Sequence, residues 1–219
     1  MTNFKIDHFV FAANTLSEGS NTIKKILDED LSEINTHASM GPHNRVISLG
    51  CSYLEIIALD PENQNANSNT WFNLSDKIYR EKFLKTPKLI SFVMSSDVLS
   101  SSIFFEKEFF VSRNKYKWFF KKANFEYLNK NNFTNTNLFP SLINWQSVSP
   151  LSKMKKSSYI FESLEIILNK NHKLLYEFLL TLNLKEKINF NFNDNLKDEQ
   201  LSLKLTLKSS INGKYILIS

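Results

Sequence analysis

Residues 4–13, FKIDHFVFAA, place apolar side chains at alternate positions and are rich in Phe, Val and Ile, which predicts a strand. Thr15 to Glu18 then spell a capping box, and Ile23, Ile26 and Leu27 follow at helical spacing, so the strand hands over to a helix. Residues 45–49 and 53–59 are two apolar runs split by Gly50, Cys51 and Ser52, a hairpin signal. A shorter strand is expected over 36–40, before the Gly41–Pro42 turn, and the polar stretch 61–69 closes this unit. Residues 71–84 read as a connecting helix that Pro87 stops.

The order then returns: strand 89–94, helix 99–110, strands 115–125 and 139–145. A third pass follows, with strand 159–168 and a helix capped by Asn171 that presents Leu174, Leu175, Phe178, Leu179 and Leu182 on one side. Strands 188–192, 201–207 and 215–218 complete it. The predicted class is α+β, built of repeated βαβββ modules over 1–60, 88–146 and a degenerate 157–219, with 61–87 as connection.

Composition narrows the function. A chain of 219 residues can bury a core without staples, and its one cysteine, Cys51, excludes an intramolecular disulfide, so a cytoplasmic setting is the expectation. No window has the length of a membrane span, and no membrane partner is expected. The net charge is +5, but only Arg45, Arg80 and Arg113 are arginines, and lysine and asparagine fill 50 positions in scattered tracts. The bidentate reader of phosphate and guanine is scarce, so a solvated surface is expected rather than a nucleic-acid partner. Four scattered glycines form no phosphate loop, and no nucleotide cofactor is expected.

IDHFVFAA (6–13), MGPHNRVISLG with YLEIIALDP (40–61), WFNLSDK (71–77) and FPSLINW (139–145) together resemble a glyoxalase-like domain of the vicinal oxygen chelate superfamily. The resemblance covers the first 150 or so residues. It implies paired modules whose mixed sheets curve into a cup, helices outside, and a divalent metal that chelates two neighbouring oxygens of a small molecule. The implied ligands are His8 and Glu55, with Ser91 and Asn144 at the corresponding places of the second module and Trp145 beside them. The implied activity is that of a metal-dependent lyase, isomerase or dioxygenase-type enzyme; the rival is a protein that binds a small molecule without turnover.

Strand parity supports part of this without the family. Ile6, His8, Val10 and Ala12 share one face, as do Tyr53, Glu55, Ile57 and Leu59. An imidazole and a carboxylate on such apolar faces need partners, each other or an ion. Two readings stay open. If the hairpin pairs Leu49 with Tyr53, Glu55 lies opposite Ile47 and diagonal to Arg45, which would make it half of an ion pair. Otherwise Glu55 and His8 are the ligand, base or acid of a site, with Arg45 and His43 near the substrate. His43 as a third ligand would lie about 13 Å along the strand, too far for one ion. His37 reads as a loop residue, His172 as a helix-end residue, and Trp118 and Trp145 as core or as walls for a ligand. Two modules close a cup, so the third must pack elsewhere or meet a second copy, the latter giving a homodimer.

Overall fold

The computed structural model describes residues 4–36, 41–62, 71–99, 102–182 and 184–219. Among the described residues twelve strands form two sheets. The larger runs β2-β3-β4-β1-β5-β8-β7-β6 and the smaller β10-β9-β11-β12. In chain order β1 is Lys5–Ala12, β2 Asn35–Thr36, β3 Pro42–Ser48, β4 Tyr53–Leu59, β5 Lys88–Ser95, β6 Phe109–Arg113, β7 Tyr116–Lys121, β8 Ser141–Trp145, β9 Tyr159–Leu168, β10 Ile188–Phe192, β11 Ser202–Ser209 and β12 Tyr215–Ile218. The helices are α1 Leu16–Leu27, α2 Lys77–Phe83, α3 Phe125–Lys130 and α4 Lys173–Leu180. None among the described residues is long and apolar enough to cross a membrane. The predicted strand residues 37–40, His37 with them, and most of the predicted polar loop lie outside the described residues.

The large sheet is two copies of one motif. In the first half β1 pairs parallel with β4, and β4, β3 and β2 pair antiparallel outward. In the second, β5 pairs parallel with β8, and β8, β7 and β6 continue outward. The halves join where β1 and β5 run antiparallel, with Phe9 opposite Phe92. This is the α+β class that the pattern predicts.

One face of the sheet is a cup lined by Val10, Ile57, Ile90, Val93, Trp118, Phe120 and Ile143. The other face buries Phe9, Phe11, Leu54, Ile56, Phe92 and Met94 against α1 and the small sheet, whose Leu164, Leu203, Leu205 and Leu207 complete that core. The rings of Phe9 and Phe161 meet at 5.0 Å across this junction.

The third segment keeps the order strand, helix, three strands, yet its pairing differs. The strand after the helix, β10, lies parallel to β9, whereas in the first two motifs it is the last strand that lies parallel to the first. Its apolar face is covered within the chain, so the reason given above for a second copy does not hold.

Local chemistry explains the other departures. The Thr15 hydroxyl accepts from Glu18 N at 3.2 Å and starts α1 as predicted. The expected helix 71–84 is broken: Trp71–Asn73 form a short turn with Phe72 and Asn73 at positive φ, and Asp76 caps α2 by accepting from Ile78 N and Tyr79 N. Over 102–110 a turn, closed where Phe105 N donates to Ser102 O at 3.1 Å, and then extended chain replace the expected helix, because Phe105 bridges to Ala123 and buries its ring, and the segment after it pairs as β6. Tertiary burial here overrides a helical spacing. The cap of the last helical stretch is Asn169, two residues before the expected Asn171, accepting from Asn171 N at 3.1 Å.

Candidate functional site

The register of β1, β3 and β4 brings the first-half polar residues together. His8 lies opposite Tyr53, Val10 opposite Glu55, and Val46 opposite Glu55 from the other side. Residues paired in register share a face, so His8, Tyr53, Glu55 and Asn44 all look into the cup. The hairpin pairs Ser48, not Leu49, with Tyr53. That one-residue difference moves Arg45 to the other face, where its guanidinium donates to Ser32 O at 2.8 Å. The ion-pair reading of Glu55 falls, and the Asn44 side-chain amide takes Arg45's place, donating to Glu55 Oε1.

His43 also faces away, opposite Ala58, with Nδ1 4.0 Å from Asp60 Oδ1. It approaches neither His8 nor Glu55.

The imidazole of His8 is held on three sides. Its ring stacks on Tyr53 with centroids 4.7 Å apart and planes at 18°. Its Nδ1 lies 2.8 Å from Asp7 Oδ1 and its Nε2 lies 3.7 Å from Glu55 Oε2. An ionised carboxylate only accepts, so Nδ1 carries a proton and donates it to Asp7, leaving Nε2 to face Glu55. Burial, and then the charges of Asp7 and Glu55, push the Tyr53 phenol well above its ordinary value. It stays protonated. The Trp145 indole N–H donates to the other Asp7 oxygen at 2.8 Å.

Asp7 is the residue that sequence reading missed. Alternation puts it on the face opposite His8. A β-bulge reverses this: Ile6 pairs with Met94 and His8 with Val93, so Asp7 is an extra residue on β1 and turns into the cup beside His8. Ile6 N donates at 3.0 Å to Glu186 of the third segment, which ties the bulge to the small-sheet part of the chain. No local pattern signals a bulge here; only the pairing with β5 reveals it.

A second bulge, at Ile90, mirrors the first. The two bulges superpose when Phe9 is mapped on Phe92, and the same mapping carries His8 to Ser91. Because Val10 pairs with Glu55 and Val93 with Ser141, it carries Glu55 to Ser141. The expected counterpart, Asn144, is three residues off. It faces away from the cup with Phe119 opposite, and its amide donates to Ser96 O at 2.9 Å. Residues 141–145 are nearly all buried, so apolar pattern could not set this frame. Ser91 and Ser141 lie under Trp71 and Phe72, lining a separate void of about 10 Å³.

The cup holds a cavity of about 780 Å³. His8, Glu55, Asn44 and Tyr53 line its first-half wall, and Trp118, Phe120, Trp145, Tyr116 and Arg113 its second. Trp118 and Trp145 meet at 5.3 Å between centroids, and Trp71 sets its edge on Phe120 at 4.3 Å. At the mouth, the acidic stretch 28–30 faces the segment 153–158, joined where Ser158 N donates to Glu29 Oε1 at 2.7 Å.

The sequence profile of the glyoxalase-like domain matches residues 6–177. The chain belongs to the glyoxalase-like domain family. No curated protein matches. Among solved structures, a hypothetical protein from Staphylococcus aureus is similar over 99% of this chain and 85% of its own, at 15% identity and a TM-score of 0.57. The methylmalonyl-CoA epimerase of Mycobacterium tuberculosis aligns with 68% of this chain and 91% of its own, at 10% identity and TM-score 0.41. A methylmalonyl-CoA epimerase variant from Streptomyces coelicolor, in complex with 2-nitronate-propionyl-CoA, aligns with 66% and 97%, at 9% identity and TM-score 0.43.

The glyoxalase-like resemblance implies a divalent metal at His8 and Glu55, and the donor set does not fit one held by the protein. A closed or catalytic site takes three or four protein ligands. Here the positions that would supply the others carry the hydroxyls of Ser91 and Ser141, and among the described residues no group of three or more His, Cys, Asp or Glu is placed to hold an ion.

Proposed function

We propose that this protein binds a small organic molecule with neighbouring oxygens in the cup, and that His8 and Glu55 move a proton on it, the chemistry of an isomerase or lyase. The observation that carries this reading is the pair itself: Nε2 and Oε2 face one cavity 3.7 Å apart, with the far side of each group already bonded, to Asp7 and to Asn44. That distance is too long for a hydrogen bond. It suits two groups that meet through an atom of a ligand.

Glu55 Oε2 takes a proton from the carbon next to a carbonyl. The electron pair of the broken C–H bond forms a C=C bond and the carbonyl oxygen gains the negative charge. His8 Nε2, whose lone pair Asp7 keeps turned to the cavity, accepts the proton from Glu55 and returns it, on the same carbon or its neighbour.

The test is exchange of solvent deuterium into C2 of 2-hydroxyacetophenone, followed by NMR with and without EDTA. Catalysed exchange that survives EDTA and is lost in Glu55→Gln is the expected result. Exchange abolished by EDTA and restored by a divalent ion would replace this reading with the metal-dependent one. The second reading, a protein that binds without turnover, is favoured by Ser91 and Ser141, since the second half contributes no acid or base; ligand binding with no exchange would establish it.

A further inference from the structure

The third segment reaches the large sheet at the two strands that carry the His8–Glu55 pair. In the turn that leads into β4, Phe161 N donates to Leu49 O at 3.0 Å. At the start of β1, Ile6 N donates to Glu186 Oε1 at 3.0 Å. Glu186 stands in the connection between α4 and β10, 180 positions along the chain from Ile6.

The second contact falls where β1 is least supported. The ladder to β4 begins at His8, so the residues from Lys5 to Asp7 have a strand neighbour on the β5 side alone. That ladder is itself interrupted there, since Ile6 pairs with Met94 and His8 with Val93, and Asp7 is the residue left over. A bulge leaves its extra residue unpaired and disrupts the ladder beside it. Simple alternation would send the Asp7 side chain to the face away from His8. A backbone N–H bonded to a carboxylate is among the stronger hydrogen bonds, so Glu186 fixes the peptide unit just ahead of Asp7. Beyond it, Asp7 accepts from His8 Nδ1 and from Trp145 Nε1, each at 2.8 Å.

We propose that Glu186 is a positioning residue: its bond to Ile6 N holds the β1 bulge in the form that turns the Asp7 carboxylate to His8 and Trp145. The small-sheet part of the chain thereby sets which nitrogen of the imidazole carries the proton, although Glu186 does not line the cavity. The effect on proton transfer rests on the reading of His8 and Glu55 given above; the effect on the tautomer does not.

The experiment follows the full chain without ligand by ¹H–¹⁵N NMR, reading the His8 imidazole nitrogens and the Trp145 indole N–H in wild type, Glu186→Ala and Glu186→Gln. Glutamine keeps an oxygen for Ile6 N, and alanine removes it. Expected in Glu186→Ala are a Trp145 signal moved upfield and a His8 proton shared between the two ring nitrogens. Deuterium exchange into 2-hydroxyacetophenone slows by about tenfold to a hundredfold, with the affinity for the ketone unchanged. Glu186→Gln restores all of these. Wild-type His8 and Trp145 signals in Glu186→Ala, whatever its melting temperature, overturn the proposal, and so does a Glu186→Gln variant that behaves as Glu186→Ala does. Should Glu186→Ala fail to fold, Glu186→Asp, which keeps the charge and draws the acceptor back by one methylene, must move the same two signals or the proposal falls. If the wild type catalyses no exchange while Glu186→Ala still moves both signals, the proton-transfer reading is removed and the positioning role stands.

Discussion

Asp7→Asn separates the roles of the Asp7 carboxylate as structural hub and as orienter. Asp7 accepts from two donors, His8 Nδ1 on one oxygen and Trp145 Nε1 on the other. Asparagine has nearly the same shape but one acceptor oxygen. Trp145 can only donate, so the amide oxygen must serve it, and the amide NH2 must face His8. Nδ1 then becomes the acceptor and Nε2 carries the proton, pointing it at Glu55. The pair is turned from two open groups into a closed hydrogen bond.

The stability cost is moderate: two bonds to a charged acceptor become bonds to a neutral one, at about 1 kcal/mol each, or about 2 kcal/mol in all. For a chain of this size that lowers the melting temperature by about 4–8 °C. The deuterium-exchange rate falls far more, by about 10²-fold or beyond, since the tautomer is wrong rather than the fold. Imidazole ¹⁵N shifts report the tautomer directly. A wild-type His8 with the proton on Nε2, or an Asp7→Asn variant that exchanges within twofold of wild type, would refute the argument.

Two further outcomes follow from the core. Burial holds His172 down to about 4 against an ordinary 6.5, with Asp198 opposing the shift, so the folded chain keeps this imidazole neutral while the unfolded chain protonates it. Its contribution is complete above pH 6.5 and is lost as pH falls from 6.5 to 4, by up to about 3 kcal/mol; urea midpoints at pH 7 and pH 4.5 should diverge more in wild type than in His172→Gln. Gly19→Ala places a Cβ 2.9 Å from Ile56 Cγ2 and 3.0 Å from the Cβ of Ala13, so it should destabilise by about 1–2 kcal/mol in thermal melts although alanine is the better helix former.

The first half of the site was legible because it rests on parity. His8 and Glu55 each stand on an alternating strand whose apolar neighbours declare the buried face, and that face is the same wherever the register falls. Tyr53 follows by the same logic. Arg45, His43 and Asn144 were misplaced because each depended on register or frame. A shift of one residue in the hairpin exchanged Arg45 for Asn44, and a frame three residues off put Asn144 where Ser141 stands.

By itself the sequence determined the period of most strands, the Thr15 cap, the repeat of motifs and the apolar face that His8 and Glu55 share, since these depend only on residues a few positions apart. Tertiary structure alone decided the bulge that turns Asp7 inward, the extended course from Phe105 into β6, and the pairing order of the third segment. Each of these depends on what a distant strand presents across the ladder, and a period of two along one strand carries no record of its neighbour.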